Sequence, residues 1–278
     1  MKHPGRGGSV ADDEVMLLDW PRPEVARIRL NRPHRLNALV PDLVSGLTET
    51  LYSLDAQAEQ CRVIVLTGSG RGFCAGLDLA AAVERNRSSP SIPERLRRQE
   101  RFAAMVRAIR SVRQPVIAAV NGPAAGAGLG LALAADIRIA GPDAAFHVAA
   151  VKIGLSAGEC GISYFLPRLV GASRAFEIML TGRPVGAAEA ERIGLVSRVV
   201  PGSELDDCAL EVAAAITANA PFSIWMTKQV GSANLDASGL DEALALENRT
   251  QILAVNTEDC AEAMSAFVEK RGPVFQGR

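Results

Sequence analysis

Aromatic side chains make up only 4% of the 278 residues. So few rings leave no stacking platform for single-stranded nucleic acid. A formal net charge of -1 likewise gives no electrostatic case for a nucleic-acid or anionic membrane partner. Histidine is scarce: His3, His34 and His147 are dispersed and form no HExxH pair, which does not suit a metal site. The five cysteines (Cys61, Cys74, Cys160, Cys208 and Cys260) contain no CxxC pair, and an odd, scattered set fits a reducing compartment better than a disulfide framework. No apolar stretch reaches the length of a membrane span. The N-terminal MKHPGRGGSVADDE lacks the apolar centre of a secretion signal. The expectation is a soluble, cytoplasmic protein.

What is present is a hydrophobic fraction of 48%, ample for a large buried core. Residues 25–31, 61–67, 115–121 and 137–140 read as β-strands, with a helix opening near Pro41-Asp42. Residues 94–112 have helical spacing, with Phe102, Met105, Val106 and Ile109 on one face. Repeated β-α-β order predicts an α/β fold with a mainly parallel, buried sheet. The stretch 84–98, charged and broken by prolines, reads as a mobile surface loop and candidate lid. From Ser203 onward the pattern is helical, with Ser203 and Asp206 as a capping box and Asn256 before a second acidic first turn. The expected organisation is an α/β core over 12–202 and a helical region over 203–278.

Three motifs come close and fail. GSGRGF (68–73) follows a strand, but Phe73 stands where a dinucleotide loop needs glycine, and no Gly-Lys-Ser/Thr follows. Gly154-Leu155-Ser156-Ala157-Gly158 matches a nucleophile elbow, yet all three histidines precede Ser156, the reverse of the order that fold requires. His147 reads as a half-buried strand residue. Cys74 has no histidine placed to activate it, so it reads as small-residue packing.

Two glycine-rich loops remain, each after a strand: GSGRGFCAGLDL (68–79) and NGPAAGAGLG (121–130). Both offer backbone N–H groups near a helix start, and together such groups can hold a developing oxyanion. Alone, either loop is explained as a tight strand-to-helix turn.

With their neighbours, these loops resemble the crotonase family, the enoyl-CoA hydratase/isomerase superfamily. The matching pieces are LNRPHRLNAL (30–39), VIVLTGSGRGFCAGLDL (63–79), PVIAAVNGPAAGAGLGLALAADIRIA (115–140), LPRLVGASRAFEIMLTGRPVGAAEAERIGLVSRVV (166–200) and the terminal FVEKRGPVFQGR. They run in the family's order from about Val15 to the end. The resemblance implies a crotonase-like spiral of repeated ββα/βαβ units, a C-terminal helical trimerisation region, and a homotrimer or hexamer. The implied substrate is an acyl-CoA thioester, with coenzyme A part of the substrate, no other cofactor and no metal. Its enolate is held by two backbone N–H groups, which the resemblance assigns to Ala75 and Ala127. Substrate contacts are implied at Leu36, Ala38, Gly76, Leu77, Asp78, Leu79, Gly126 and Gly130. Phe267 and Lys270 match C-terminal contacts to adenine and phosphate, although Lys270 also reads as an ordinary helix-end lysine and Asp78 as an ordinary first-turn acid. Asp136 matches a structural position.

The two glutamates of the family's hydratases are missing, their positions falling at Gly130 and Ala150. Some members, notably dienoyl-CoA isomerases, use an acid further on. Counting back from Leu166-Pro167 puts Glu159 there, with one extra residue between Gly154 and Gly158. Its neighbours Gly158, Cys160, Gly161 and Ile162 form an apolar setting that would raise its pKa. The alternative is a solvated glutamate favoured by a helix start. Three functions follow: a proton shift such as double-bond isomerisation by Glu159 alone, hydration by Glu159 with an unidentified second group, or acyl-CoA binding without catalysis.

Overall fold

A computed structural model describes residues 14–278. His3, and the first residues of the expected 12–202 core, lie outside the described residues. Strands β1 (Met16–Arg22) and β2 (Val25–Leu30) pair antiparallel, followed by α1 (Pro41–Ala56), β3 (Val63–Gly68), α2 (Leu79–Asn86), α3 (Ile92–Ser111) and β4 (Val116–Val120). Next come the short β5 (Ala124–Ala125), α4 (Ala127–Ala134), β6 (Ile137–Ala140) and β7 (Ala145–His147). Then follow α5 (Ile162–Val170), α6 (Ala172–Thr181), β8 (Pro184–Gly186), α7 (Ala187–Arg192) and β9 (Arg198–Val199). Four helices end the chain: α8 (Leu205–Thr217), α9 (Pro221–Asn234), α10 (Leu240–Val255) and α11 (Glu258–Glu269).

The main sheet has the order β1-β2-β3-β4-β6-β9 and is parallel from β2 onward. Its central strands VIVLTG and VIAAV are buried at every position, as strands covered on both faces must be. Alternation divides their side chains between two cores. Ile28, Ile64, Leu66, Val116 and Ala118 face the larger core, with Leu47, Met105 and Ile109 of α1 and α3. Val25, Val63, Val65, Ile117 and Ala119 face α8 through Leu205, Ala209 and Ala213. The helical stretch expected from Ser203 therefore begins with a helix that closes one face of the core sheet. A second sheet, β5-β7-β8, runs beside the first.

Three local expectations are corrected. Residues 84–98 are not a long loop: α2 continues to Asn86 and α3 starts at Ile92. The Ser91 N–H donates to Glu94 Oε2 at 2.7 Å, and Pro93 lies in the first turn of α3, where its missing N–H would have had no helical partner. Those residues start a helix instead of breaking one. Ser203 does not cap α8, whose N-cap is Glu204 with no side-chain bond. At α11 the cap is Thr257, not Asn256: its hydroxyl accepts the Cys260 N–H at 3.1 Å.

Candidate active site

The two glycine-rich loops lie side by side. Cys74 pairs with Ala124, Leu39 with Leu77, and Ala124 of β5 with Phe146 of β7. Two asparagines that the motif reading passed over hold the first loop in shape. Asn37, fully buried, accepts the Arg32 N–H at 2.8 Å and donates from Nδ2 to the carbonyls of Ser69, Gly72 and Phe73. Asn121 donates to the carbonyls of Gly68, Gly70 and Gly72, and its Oδ1 accepts from Gly68 N–H. A single amide ending the apolar run PVIAAV was the available sequence signal, since a polar group there needs partners.

The Ala75 N–H is not a free donor. It donates to Leu36 O at 2.8 Å. Among the described residues, the N–H groups of Leu77 and Ala127 have no acceptor. They are neighbours: a Cβ built at Gly76 would stand 3.3 Å from Ala127 N and overlap Ala125 O. Gly76 has a φ of 77°, so both this close approach and the left-handed backbone require glycine there. Ala127 begins α4, whose N-terminal dipole favours negative charge at this point.

Glu159 stands directly against this arrangement. Its Oε1 is 3.2 Å from the position a Gly126 Cβ would occupy, and Gly126 immediately precedes Ala127. The side chain is half-buried and makes no hydrogen bond or ion pair among the described residues. Burial pushes its pKa above the ordinary 4.5, because desolvation penalises the carboxylate.

The two hydratase positions carry no acid, and one of them has no room for a side chain. A Cβ at Gly130 would lie 2.8 Å from Cys160 Cβ and 2.5 Å from Cys160 O. Cys160, at a φ of 46°, belongs to the turn that carries Glu159. Gly130, one of the expected substrate contacts, is thus packed against the Cys160 turn. Ala150 is buried in a short 3-10 turn, Ala150–Ile153.

Of the other expected contacts, Leu36 is half-buried beside the first loop and engages Ala75 through its carbonyl. Ala38 is buried, and its N–H and carbonyl are taken by Arg35 and Arg32. Asp78 is also occupied: it caps α2 through Ala81 N at 3.1 Å and pairs with Arg32 at 3.1 Å. The Ala81 N–H and the Arg32 guanidinium hold its pKa below the usual range. Leu79 is half-exposed at the start of α2. Phe267 is exposed on α11 and Lys270 ends that helix, which packs on α10.

The residues set aside stay outside the site chemistry. Asp136 accepts from Val116 N–H, Arg110 and Lys228, tying β4, α3 and α9 together. Cys74 is fully buried, and burial pushes its thiol to about 12. Ser156 is exposed, its hydroxyl accepting from Gly158 N–H. His147 is a half-buried residue of β7, lowered in pKa by burial and by Lys152; its carbonyl accepts the Gly126 N–H at 3.1 Å. Among the described residues, no His, Cys, Asp and Glu side chains cluster as a metal site would require, and no single helix is long and apolar enough to cross a membrane.

The chain thus brings two backbone donors, unpartnered among the described residues, and one carboxyl group together on a mixed α/β fold. The family model described as Enoyl-CoA hydratase/isomerase matches residues 22–278. A probable enoyl-CoA hydratase of Mycobacterium leprae is 45% identical over 265 residues, covering 94% of this chain and 90% of that protein. The 1,2-epoxyphenylacetyl-CoA isomerase of Escherichia coli is 39% identical over 256 residues, covering 91% and 95%. The crystal structure of a probable enoyl-CoA hydratase/isomerase from Mycobacterium abscessus superposes with a TM-score of 0.87 at 39% identity, covering 95% and 100%. The chain belongs to the enoyl-CoA hydratase/isomerase family, the crotonase superfamily, and is an enzyme of that family.

Proposed function

We propose that this enzyme moves a proton along the acyl group of a coenzyme A thioester, shifting a double bond, with Glu159 as its only acid/base. The thioester oxygen would accept from the N–H groups of Leu77 and Ala127. Glu159 removes a proton from carbon, the electron pair passes to the held oxygen as an enolate, and the same carboxyl returns the proton at another carbon as the double bond re-forms. One unpaired carboxylate is sufficient for that exchange, whereas adding water calls for a second group to manage it. Each backbone donor contributes about 3–4 kcal/mol to stabilising the oxyanion, and no cofactor beyond the substrate's own coenzyme A is needed.

The observation that carries this reading is the Glu159 carboxylate against Gly126, partnerless and raised in pKa by burial. The absence of acids at Gly130 and Ala150 supports isomerisation over two-glutamate hydration. The Escherichia coli relative is named as an isomerase, a rearrangement with no net addition of water, although the substrate in its name is an epoxide. The relatives named as hydratases keep water addition through Glu159 as the second reading. Solvent deuterium entering the acyl group without net hydration separates the two. We further propose the family's spiral of repeated ββα/βαβ units, assembly as a trimer or hexamer, and a cytoplasmic setting, with Phe267 and Lys270 reaching coenzyme A from α11.

The test is Glu159→Gln, which keeps size and hydrogen bonding but cannot exchange protons at neutral pH. Turnover of an enoyl-CoA should fall by about 100-fold or more, while acyl-CoA affinity by titration calorimetry stays near the parent's. Unchanged turnover would move the chemistry to another residue.

A further inference from the structure

A cavity of about 390 Å³ opens between the start of α1, the end of α2 and the first turns of α3. Four arginines line it: Arg85, Arg97, Arg98 and Arg101. The one acid on its wall, Glu94, is held by the Ser91 N–H and hydroxyl at 2.7 and 2.8 Å. Arg97 and Arg98 are near enough to act on its charge, but none of the four guanidiniums makes an ion pair or hydrogen bond among the described residues. Arg85 Nε is buried without an acceptor. By contrast, Arg27, Arg32, Arg110, Arg183 and Arg271 each meet an acid. Four like charges converging on one hollow repel one another, and an orphaned buried donor costs stability. An anion seated there would relieve both.

The cavity's place says which anion. One wall is Pro41, two residues beyond Leu39, and Leu39 pairs with Leu77. A strand spacing plus two residues of chain puts that wall within about 12 Å of the Leu77 N–H. Between them α2 exposes Leu79 and Val83, an apolar face for methylenes, and Val44 and Phe102 extend it into the cavity. An acyl chain held by its thioester at Leu77 and Ala127 would reach this cavity by running along the exposed Leu79 and Val83 face of α2. Guanidinium forks match a carboxylate two bonds at a time.

We infer that the arginine cavity receives a carboxylate at the far end of the acyl group, so that the preferred substrates are coenzyme A thioesters of dicarboxylic acids. This rests on the acyl-CoA reading of the glycine loops. It is tested by calorimetry with saturated thioesters matched in length: succinyl-, adipoyl- and suberoyl-CoA against butanoyl-, hexanoyl- and octanoyl-CoA. At least one diacid thioester should bind about tenfold or more tightly than its monoacid partner. In Arg98→Gln and in the more exposed Arg101→Gln, that ratio should fall toward one. Equal affinity of the two series, or a ratio that survives both substitutions, overturns the inference and leaves the acyl-CoA reading standing. If the substitutions weaken both series alike, the arginines hold coenzyme A phosphates and the inference falls. Free adipate binding as tightly as adipoyl-CoA makes the cavity an independent anion site and overturns the inference as well. Binding of neither series overturns the acyl-CoA reading itself.

Discussion

Glu159 couples activity to stability with opposite signs. Its pKa in the folded protein lies above the ordinary 4.5, so the folded state binds this proton more tightly than the unfolded state. Its favourable contribution is therefore full below pH 4.5 and is lost as pH rises through the raised value. The base, however, must be ionised to act. Turnover should rise with pH through that same raised pKa, and the limb should vanish from the residual rate of Glu159→Gln. In thermal denaturation, Glu159→Gln should gain on the parent as pH increases from 5 to 8. A constant difference across that range would mean that the carboxyl is not desolvated. A second residue-level expectation concerns Gly130. Restoring the acid of the hydratases by Gly130→Glu should not create hydration, because Cys160 occupies the space of the first side-chain carbon. The variant should instead lose several degrees of Tm by overpacking; efficient hydration by a stable Gly130→Glu protein would refute the assignment.

At the scale of elements, the first glycine loop keeps its shape because Asn37 and Asn121 satisfy its carbonyls. Asn37→Ala removes the side-chain donor of the buried Phe73 carbonyl and the acceptor of the Arg32 N–H, while Gly72 keeps Asn121, and should cost about 2 kcal/mol or more, read as a lower urea midpoint. Leu77 should lose its alignment with Ala127, so turnover drops in the protein that remains folded. This loop also shows how far the sequence could be read. Strands β2, β3, β4 and β6 and the face of α3 were legible because each depends on local periodicity. Both loops, and an acid placed beside them at Glu159, were legible through motif order. The engagement of the expected Ala75 donor depends on a contact between positions 36 and 75, which no local pattern carries. The stretch 84–98 misled for another reason: proline and charge mark a helix start as readily as a loop, and the Ser91–Glu94 bond distinguishes them.

At the scale of the molecule, the last two helices leave apolar side chains uncovered. Among the residues of α10 none is buried, and Leu240, Ile252 and Leu253 stand exposed there, with Phe267 and Val268 on α11. Apolar surface of this extent is covered in stable soluble proteins. Light scattering at micromolar concentration should give the mass of three or six chains, and a monomer would refute the assembly. Ile252→Glu with Leu253→Glu should shift the protein toward single chains. If Phe267 and Lys270 serve a neighbouring subunit, those single chains should bind acyl-CoA more weakly.

The contact between Gly130 and Cys160 bears on ancestry. A lineage with its acid at position 130 and one with its acid at 159 are not separated by a single substitution. Placing a glutamate first drives its side chain into the Cys160 turn, and retracting that turn first withdraws Glu159 from Gly126. If Glu159 is the acid, each half-step disturbs the turn that positions it. Changes of reaction within such a scaffold should therefore travel as linked pairs, a side chain at 130 together with a shortened 154–158 segment.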